Sequence, residues 1–441
     1  MEVKLAYGKK GLKARVPEKN LIKILSMRDF EPVSDAPIAI TKSLLQPIAS
    51  PSLFDAAKRK KSACIVICDI TRPVPNRDLL PPILRTLLAA GIARENILIL
   101  IATGLHRPNI KKELVELVGE DIARNYRIEN HFGQDINSHG YLGKSSRGTP
   151  VYLDRRFLEA DFRVITGFIE PHFMAGFSGG RKVVVPGIAH FKTMQVLHGP
   201  ELLSHPNSRE GMVEHNPFHD EALEIARMAG VDFNVNVALN EDKEIIGIFS
   251  GDLDRSHLAG VEFVRNVVRS SVTDPVDIVI TSAAGYPLDK TWYQAVKGMT
   301  AAKSIIKPGG TIIIASECSE GVGSAEFTEQ MENFKSADQY LDELFQRDEF
   351  LLDQWQVQKY AAARKHAKIV TVSDGLSTEQ KNKLNIDWAE SVEKALDVAM
   401  AEYGEKATIA VIPKGPYVLA ELQSEKETLD SGNTLTEKAL T

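Results

Sequence analysis

The sequence predicts an α/β protein: two α/β domains with mainly parallel sheets covered by helices. Residues 62–69 (Ser-Ala-Cys-Ile-Val-Ile-Cys-Asp) and 96–102 (Asn-Ile-Leu-Ile-Leu-Ile-Ala) are apolar almost throughout, as strands buried on both faces must be. Each is followed by a loop and an amphipathic helical pattern, and the same alternation returns after Pro275. At 441 residues the chain is also longer than a single core usually fills, which favours two or three domains.

A hydrophobic content of 43% with 25% charged residues is that of an ordinary globular protein. The net charge is −6 and the basic residues are scattered among acids, so the footprint of a nucleic-acid or membrane-surface binder is absent and a small-molecule ligand is expected. The three cysteines, Cys64, Cys68 and Cys318, fit a reducing compartment. The N-terminal residues lack the pattern of a signal peptide, and no stretch reaches the ~18 apolar residues of a membrane span. A cytoplasmic protein is expected.

Residues 2–16 alternate around Gly8-Lys9-Lys10-Gly11 and predict a β-hairpin, with a less regular segment to about residue 60. The strand at 62–69 leads into Asp69-Ile-Thr-Arg72-Pro73, and Asn76 is placed to cap a helix ending at Gly91. The strand at 96–102 ends in Thr103-Gly104-Leu105-His106-Arg107, with a helix from near Asn109. Ligands of such sheets bind beyond the carboxyl ends of the strands, which is where Asp69, Arg72 and His106 fall. A third strand, 162–169, runs into Pro171-His172-Phe-Met-Ala-Gly176-Phe-Ser178-Gly179-Gly180-Arg181-Lys182, a segment with neither helical nor strand periodicity. A helix is expected from Pro186 to His198, another after Asn216-Pro217, strands at 232–240 and 244–250, and a long helix from Asp252.

The second unit opens with a strand at 277–281, a helix over about 290–306, a Lys-Pro-Gly-Gly turn and a strand at 311–315, the sequence form of a βαβ crossover. Helices near 325–346, 350–365 and 391–403 and strands at 368–372 and 407–412 complete it. The domains expected are therefore 1–273 and 274–404, with 405–424 able to join either and 425–441 a polar tail.

Six of the eleven histidines lie between residues 172 and 219, a density that favours function over core packing. Gly176-Phe-Ser178-Gly-Gly180 formally fits a nucleophile elbow with Ser178 as nucleophile, which keeps a serine hydrolase open as an alternative. Its glycine amides, Ser178 and Arg181 also suit a single phosphate, although the Gly-Lys-Ser/Thr ending of a nucleoside-triphosphate loop is missing, and a non-catalytic nucleotide-binding module is a further alternative.

Asp69-x-Thr-Arg72-Pro, Gly104-x-His106-Arg, Pro171-His172-x-x-x-Gly-x-Ser-Gly-Gly-x-Lys182, His198 and Tyr293-Gln294-x-x-Lys297 together resemble the nickel-dependent lactate racemase family, the nickel-pincer 2-hydroxyacid racemases and epimerases. The resemblance spans both domains. It implies a nickel pincer nucleotide, a pyridinium-3-thioamide-5-thiocarboxylic acid mononucleotide whose two sulfur-containing arms hold nickel, tethered as a thioamide to Lys182. His198 matches the nickel ligand, and His106 and His172 match two acid/base histidines serving opposite faces of the substrate. The implied reaction moves the Cα hydride of a 2-hydroxy acid to the cofactor and back through a 2-keto acid. Arg72 and Lys297, joined by Tyr293 and Gln294, would bind the carboxylate and polarise the keto oxygen. Asp69, Ser178, Gly179 and Gly180 would hold the nucleotide's sugar and phosphate. The resemblance also implies a site in the cleft between the domains and partner enzymes that make the cofactor; it leaves the particular 2-hydroxy acid open.

Overall fold

The computed structural model describes residues 1–423, and the tail expected at 425–441 lies outside the described residues. The chain forms two compact units, one of residues 28–267 and one of residues 1–27 together with 268 onward.

The first unit is built on a six-stranded sheet ordered Ile245–Gly251, Phe233–Leu239, Phe162–Phe168, Ala63–Cys68, Ile97–Ala102, Arg127–Asn130. All pairings are parallel except that of the edge strand Ile245–Gly251, which returns antiparallel on Phe233–Leu239. Ile65, Ile67, Ile97, Ile99 and Ile101 have no exposed surface and join one core with Leu79, Ile83 and Leu87 of the helix Asn76–Ala89. Removing such side chains from water is the main term holding the sheet, at ~1.5–3 kcal/mol each. The strand Ala63–Cys68 is earliest in sequence yet lies mid-sheet, with Ile97–Ala102 on one side and Phe162–Phe168 on the other. Strand order therefore reverses beside it, and the carboxyl ends at such a reversal are where ligands of doubly wound sheets bind. The loops after these three strands begin at Asp69, Thr103 and Ile169.

The helix expected from Pro186 begins instead at Phe191 and runs to Leu197. Before it, Ala189 bridges to Leu153 and the Ile188 carbonyl accepts from the Asp154 amide at 3.0 Å, so the chain is extended there. His190 supplies the cap, its ring accepting from the Lys192 amide.

The second unit carries an all-parallel sheet ordered Asp387–Trp388, Lys368–Val372, Ile306–Ala315, Val276–Ser282, Ile409–Ile412, Leu21–Ile24. The strand Ile409–Ile412 thus belongs here. So do residues 1–27, which the sequence placed in the N-terminal domain: Leu21–Ile24 adds an edge strand beside Ile409–Ile412, and the hairpin Glu2–Leu5/Leu12–Arg15 buries Val3, Leu5 and Ala14 with Ile278, Ile280 and Val411. A segment that sequence alone reads as irregular framework completes a distant sheet. Among the described residues no helix is long and apolar enough to cross a membrane.

Candidate active site

The first constellation joins two neighbouring strand ends. Cys68 pairs in register with Ala102, so the residues that follow each strand emerge side by side. His106 Nδ1 lies 2.8 Å from Asp69 Oδ2. Asp69 is 3% exposed and its Oδ1 accepts the Thr71 hydroxyl at 2.7 Å, whereas half of the His106 side chain faces solvent. Burial works to raise the Asp69 carboxyl, but the hydrogen bond and charge of His106, the Arg72 charge and Thr71 bring it below its ordinary value. An ionised Asp69 accepts the Nδ1–H, which leaves the lone pair of a neutral His106 on Nε2. The carboxylate that sequence reading gave to the nucleotide's sugar therefore orients His106. Arg72 sits in the same turn, its amide donating to the Asp69 carbonyl at 3.1 Å.

Two asparagines that the sequence did not single out fix this corner. Asn109, 2% exposed, accepts the Ile70 amide at 3.1 Å, and its own amide donates to Asn130 Oδ1 at 2.8 Å. They tie three strand ends together. Only their places after adjacent strands could have suggested it.

The second constellation is the loop after Phe162–Phe168. Pro171–His172 and Gly176–Phe177 form a minute antiparallel pair, and His172 Nδ1 accepts from the amides of Met174 and Ala175, each at 3.2 Å. His172 Nε2 is 2.7 Å from Lys182 Nζ. Between them the chain is held by Arg181, 1% exposed, whose guanidinium donates to the carbonyls of Ala175 (2.8 Å), Phe177 (3.0 Å) and Gly179 (3.3 Å); His257 Nε2 lies 2.8 Å from that guanidinium and 2.9 Å from the Ser178 carbonyl. Arg181, which the sequence offered as a phosphate donor, has its guanidinium on the loop's own carbonyls, and His257 beside it is a structural residue that the sequence did not single out. Gly179 has φ +75, and a Cβ there would stand 2.7 Å from Asn236 Oδ1, so only glycine fits.

Ser178 is used inside this loop. Its hydroxyl donates to the Phe168 carbonyl at 2.8 Å and accepts the Glu170 amide at 3.0 Å, and the Gly180 amide donates to Asn236 Oδ1 at 3.0 Å. The Ser178 hydroxyl and the Gly180 amide, which the sequence offered to a phosphate, thus have partners within the protein. This arrangement leaves the Ser178 hydroxyl without the histidine that a hydrolase nucleophile requires.

His198 follows the last turn of Phe191–Leu197, 8% exposed, with Nδ1 3.0 Å from the Met194 carbonyl. Burial pushes its pKa down to about 4, opposed by the Met194 carbonyl and reinforced by the Lys182 charge. It is thus a neutral imidazole whose Nδ1–H is spent on a carbonyl and whose lone pair lies on Nε2, the form that binds metals. The Phe218 ring is 5.5 Å from Lys182 Nζ and 5.5 Å from the His198 ring centroid, so both flank one aromatic. The Gly104 amide donates to the Gly187 carbonyl at 2.9 Å, which joins the His106 loop to the turn after Lys182. Burial raises the Cys68 thiol to about 12 and raises Cys64 as well, so neither offers a thiolate.

In the second unit Tyr293, Gln294 and Lys297 lie on the helix Trp292–Lys303, where 293 and 297 share a face. The Tyr293 hydroxyl accepts from Trp355 Nε1 at 3.0 Å, and its carbonyl accepts from Gln356 Nε2 at 2.6 Å. Gln294 Oε1 is buried and meets no protein donor. Among the described residues no group of three or more His, Cys, Asp and Glu side chains is arranged to hold a metal.

A doubly wound sheet whose loops gather polar and titratable side chains beyond the strand carboxyl ends is an architecture of α/β enzymes. The sequence model of the lactate racemase N-terminal domain matches residues 7–211, and that of the lactate racemase C-terminal domain matches residues 272–420. The chain belongs to the lactate racemase family and is an isomerase of the racemase class. It is 36% identical over 423 residues to a lactate racemase of Lactiplantibacillus plantarum, covering 95% of this chain and 99% of that protein. It is 34% identical over 421 residues to the lactate racemase of Thermoanaerobacterium thermosaccharolyticum, covering 95% and 98%. The solved lactate racemase apoprotein from the latter organism superposes with a TM-score of 0.91, over 96% of this chain and 100% of that one. A Thermotoga maritima protein at 18% identity and a TM-score of 0.69 shares the fold.

Proposed function

We propose that the chain interconverts the enantiomers of a 2-hydroxy acid, lactate being the first to test, by reversible hydride transfer through a 2-keto acid. The observation that carries this reading is the presence, beyond the carboxyl ends of one sheet, of two oppositely prepared imidazoles: His106 with its Nε2 lone pair set by Asp69, and His172 with its Nε2 against Lys182. His106 is ready to accept the substrate's hydroxyl proton, and His172 to donate a hydrogen bond toward an oxygen on the other face. Arg72, in the Asp69 turn, is assigned to the substrate carboxylate, for which a guanidinium fork is suited. Lys297, Tyr293 and Gln294 are assigned to the same carboxylate and the keto oxygen, with the unpaired Gln294 Oε1 as support for a ligand-facing role.

The residues present fit a nickel pincer nucleotide. Lys182 supplies an amine for the tether and His198 a neutral imidazole donor beside the same Phe218 ring. One protein donor suffices, since the two sulfur arms bring the others. When bound, the group supplies a reversible acceptor for the substrate's Cα hydride. The chain's part is to orient the acid, move the hydroxyl proton at His106 Nε2 and exclude water. We place the enzyme in the cytoplasm, with the cofactor's biosynthetic enzymes as partners; the three unpaired thiols support a reducing compartment.

The test is a panel of enantiopure 2-hydroxy acids incubated with protein produced alongside those enzymes. Racemisation of lactate or a close analogue is expected. Unchanged chirality for every member would refute the reading.

A further inference from the structure

Three buried histidines that the proposed reaction does not use, His131, His139 and His190, stand in a row between the His106 loop and the helix that leads to His198. The rings of His131 and His139 meet edge to face with centroids 5.1 Å apart, and those of His139 and His190 do so at 5.1 Å as well. The hydrogen bonds have a direction. His139 Nδ1 is 2.7 Å from the Asp135 carbonyl, so that nitrogen carries the ring proton and Nε2 keeps the lone pair. His131 Nε2, 2.9 Å away, then donates to it, which leaves His131 Nδ1 as an acceptor facing the Thr103 hydroxyl at 3.3 Å. His190 Nδ1 accepts the Lys192 amide at 3.1 Å, and its ring also bonds the Gln134 backbone.

Each end of the row is tied to a part of the site. The Thr103 hydroxyl donates to the His131 carbonyl at 2.7 Å, and the Thr103 carbonyl accepts the His106 amide at 2.8 Å. Gly133 lies so near that loop that a Cβ on it would stand 2.5 Å from the Gly104 carbonyl oxygen. At the other end the Gly133 carbonyl accepts the Phe191 amide at 2.7 Å, and His190 caps the helix Phe191–Leu197, which His198 follows. Burial brings His131 down to about 3 and lowers His139 and His190 too, so all three rings are neutral. Apolar side chains would fill the same space at less cost, whereas a hydrogen-bonded row admits one arrangement.

We infer that His131, His139 and His190 are positioning residues of the racemase: a row of neutral imidazoles that holds the strand end bearing His106 and the helix leading to His198 in one frame. The inference rests on the roles proposed above for His106 and His198. His131 acts on His106 through Thr103, and His190 acts on His198 through the helix it caps. Because the rings between them are bonded or packed in series, a change at one end is felt at the other. The row thereby keeps the proton carrier and the metal donor at a fixed separation while each is carried by a different loop.

The first measurement uses full-length protein made without the biosynthetic enzymes and labelled with nitrogen-15 in its histidine rings, whose long-range NMR correlations report each tautomer. The parent chain should show Nε2–H on His131 and Nδ1–H on His139. In His131→Phe the ring signals of both His106 and His198 should move, and in His131→Gln, which keeps an N–H for His139, they should return most of the way. Thr103→Val, which removes only a hydroxyl, asks the same question should His131→Phe fail to fold. The opposite tautomers, or a folded variant in which His106 or His198 stays in place, would overturn the inference. In protein made alongside the biosynthetic enzymes, His131→Phe should lower kcat about 10–100-fold with KM within about twofold, and His190→Phe should lower nickel content where His190→Asn, still a cap, does not. A row that is only structural would lower the urea midpoint and leave kcat and nickel unchanged. An enzyme that racemises with kcat intact in His131→Phe loses the inference and keeps the function. One that racemises nothing loses the function, and the ring signals of the cofactor-free protein still decide the inference.

Discussion

The two loops that carry His106 and His172 prepare their imidazoles by different means. His106 stands exposed over a buried charge: Asp69 holds Nδ1–H and leaves Nε2 basic. His172 is held by neutral backbone, with the amides of Met174 and Ala175 on Nδ1 and the loop clamped by Arg181. A carboxylate fixes one tautomer and peptide geometry fixes the other. The contrast teaches that the Asp69 corner should be sensitive to a single side chain, while the glycine-rich loop should be sensitive to whatever maintains its backbone.

The contrast is most directly broken at Asp69. Asp69→Asn offers Nδ1 a donor or a neutral acceptor in place of a charge, and turnover should fall ~10²–10⁴-fold, as it should for His106→Ala. A kcat within a few-fold of the parent chain would mean that the carboxylate does not set the tautomer. In the other loop, Arg181→Met leaves the carbonyls of Ala175, Phe177 and Gly179 without their donor in a buried setting. At ~1–3 kcal/mol for each unsatisfied group, a loss of about 3 kcal/mol or more in urea unfolding is expected, and an unchanged midpoint would contradict the clamp.

Acid should act on the neutral buried histidines. Burial, the largest cause in each case, brings His198 to about 4 and His131 and His257 to about 3, below the ~6.5 of an unfolded chain. Unfolding then takes up protons, so their contribution is fully present above pH ~6.5 and is lost as pH falls from there toward the folded values. The urea midpoint should drop between pH 7 and pH 5, and a midpoint constant over that range would show that these rings are not held neutral. The smallest effect is expected at Ser178, whose hydroxyl only braces the loop. Ser178→Ala should cost about 1 kcal/mol of stability, far from the collapse of activity that loss of a nucleophile brings.

Much of this was legible in the sequence, for reasons that also mark its limits. The apolar runs at 62–69 and 96–102 declared buried parallel strands, and the rule that ligands gather at strand carboxyl ends brought Asp69, Arg72 and His106 together. Their contacts depended on register: the pairing of Cys68 with Ala102 brings the Asp69 carboxylate to His106, a partner that sequence reading did not give it. Gly176-Phe-Ser178-Gly-Gly180 read as a phosphate loop because glycine and serine suit both ligands and tight packing, and here Asn236, from a strand over fifty residues on, takes the Gly180 amide. Residues 1–27 were misplaced because a four-residue edge strand has no signal beyond its neighbours, and its neighbour, Ile409–Ile412, lies at the far end of the chain. Arg181 gave no sign of its role, since a buried guanidinium paired with carbonyls has no sequence pattern of its own.

The central claim is that Lys182 and His198 form the anchorage of a nickel-bearing nucleotide. It is tested most directly by intact-mass, peptide-mass and metal analysis of protein produced together with the cofactor's biosynthetic enzymes. The account predicts a covalent mass increase confined to Lys182 and about one nickel per chain, with the nickel lost in His198→Ala while the added mass remains. Actively racemising protein whose Lys182 is unmodified, or whose nickel is indifferent to His198, would contradict it.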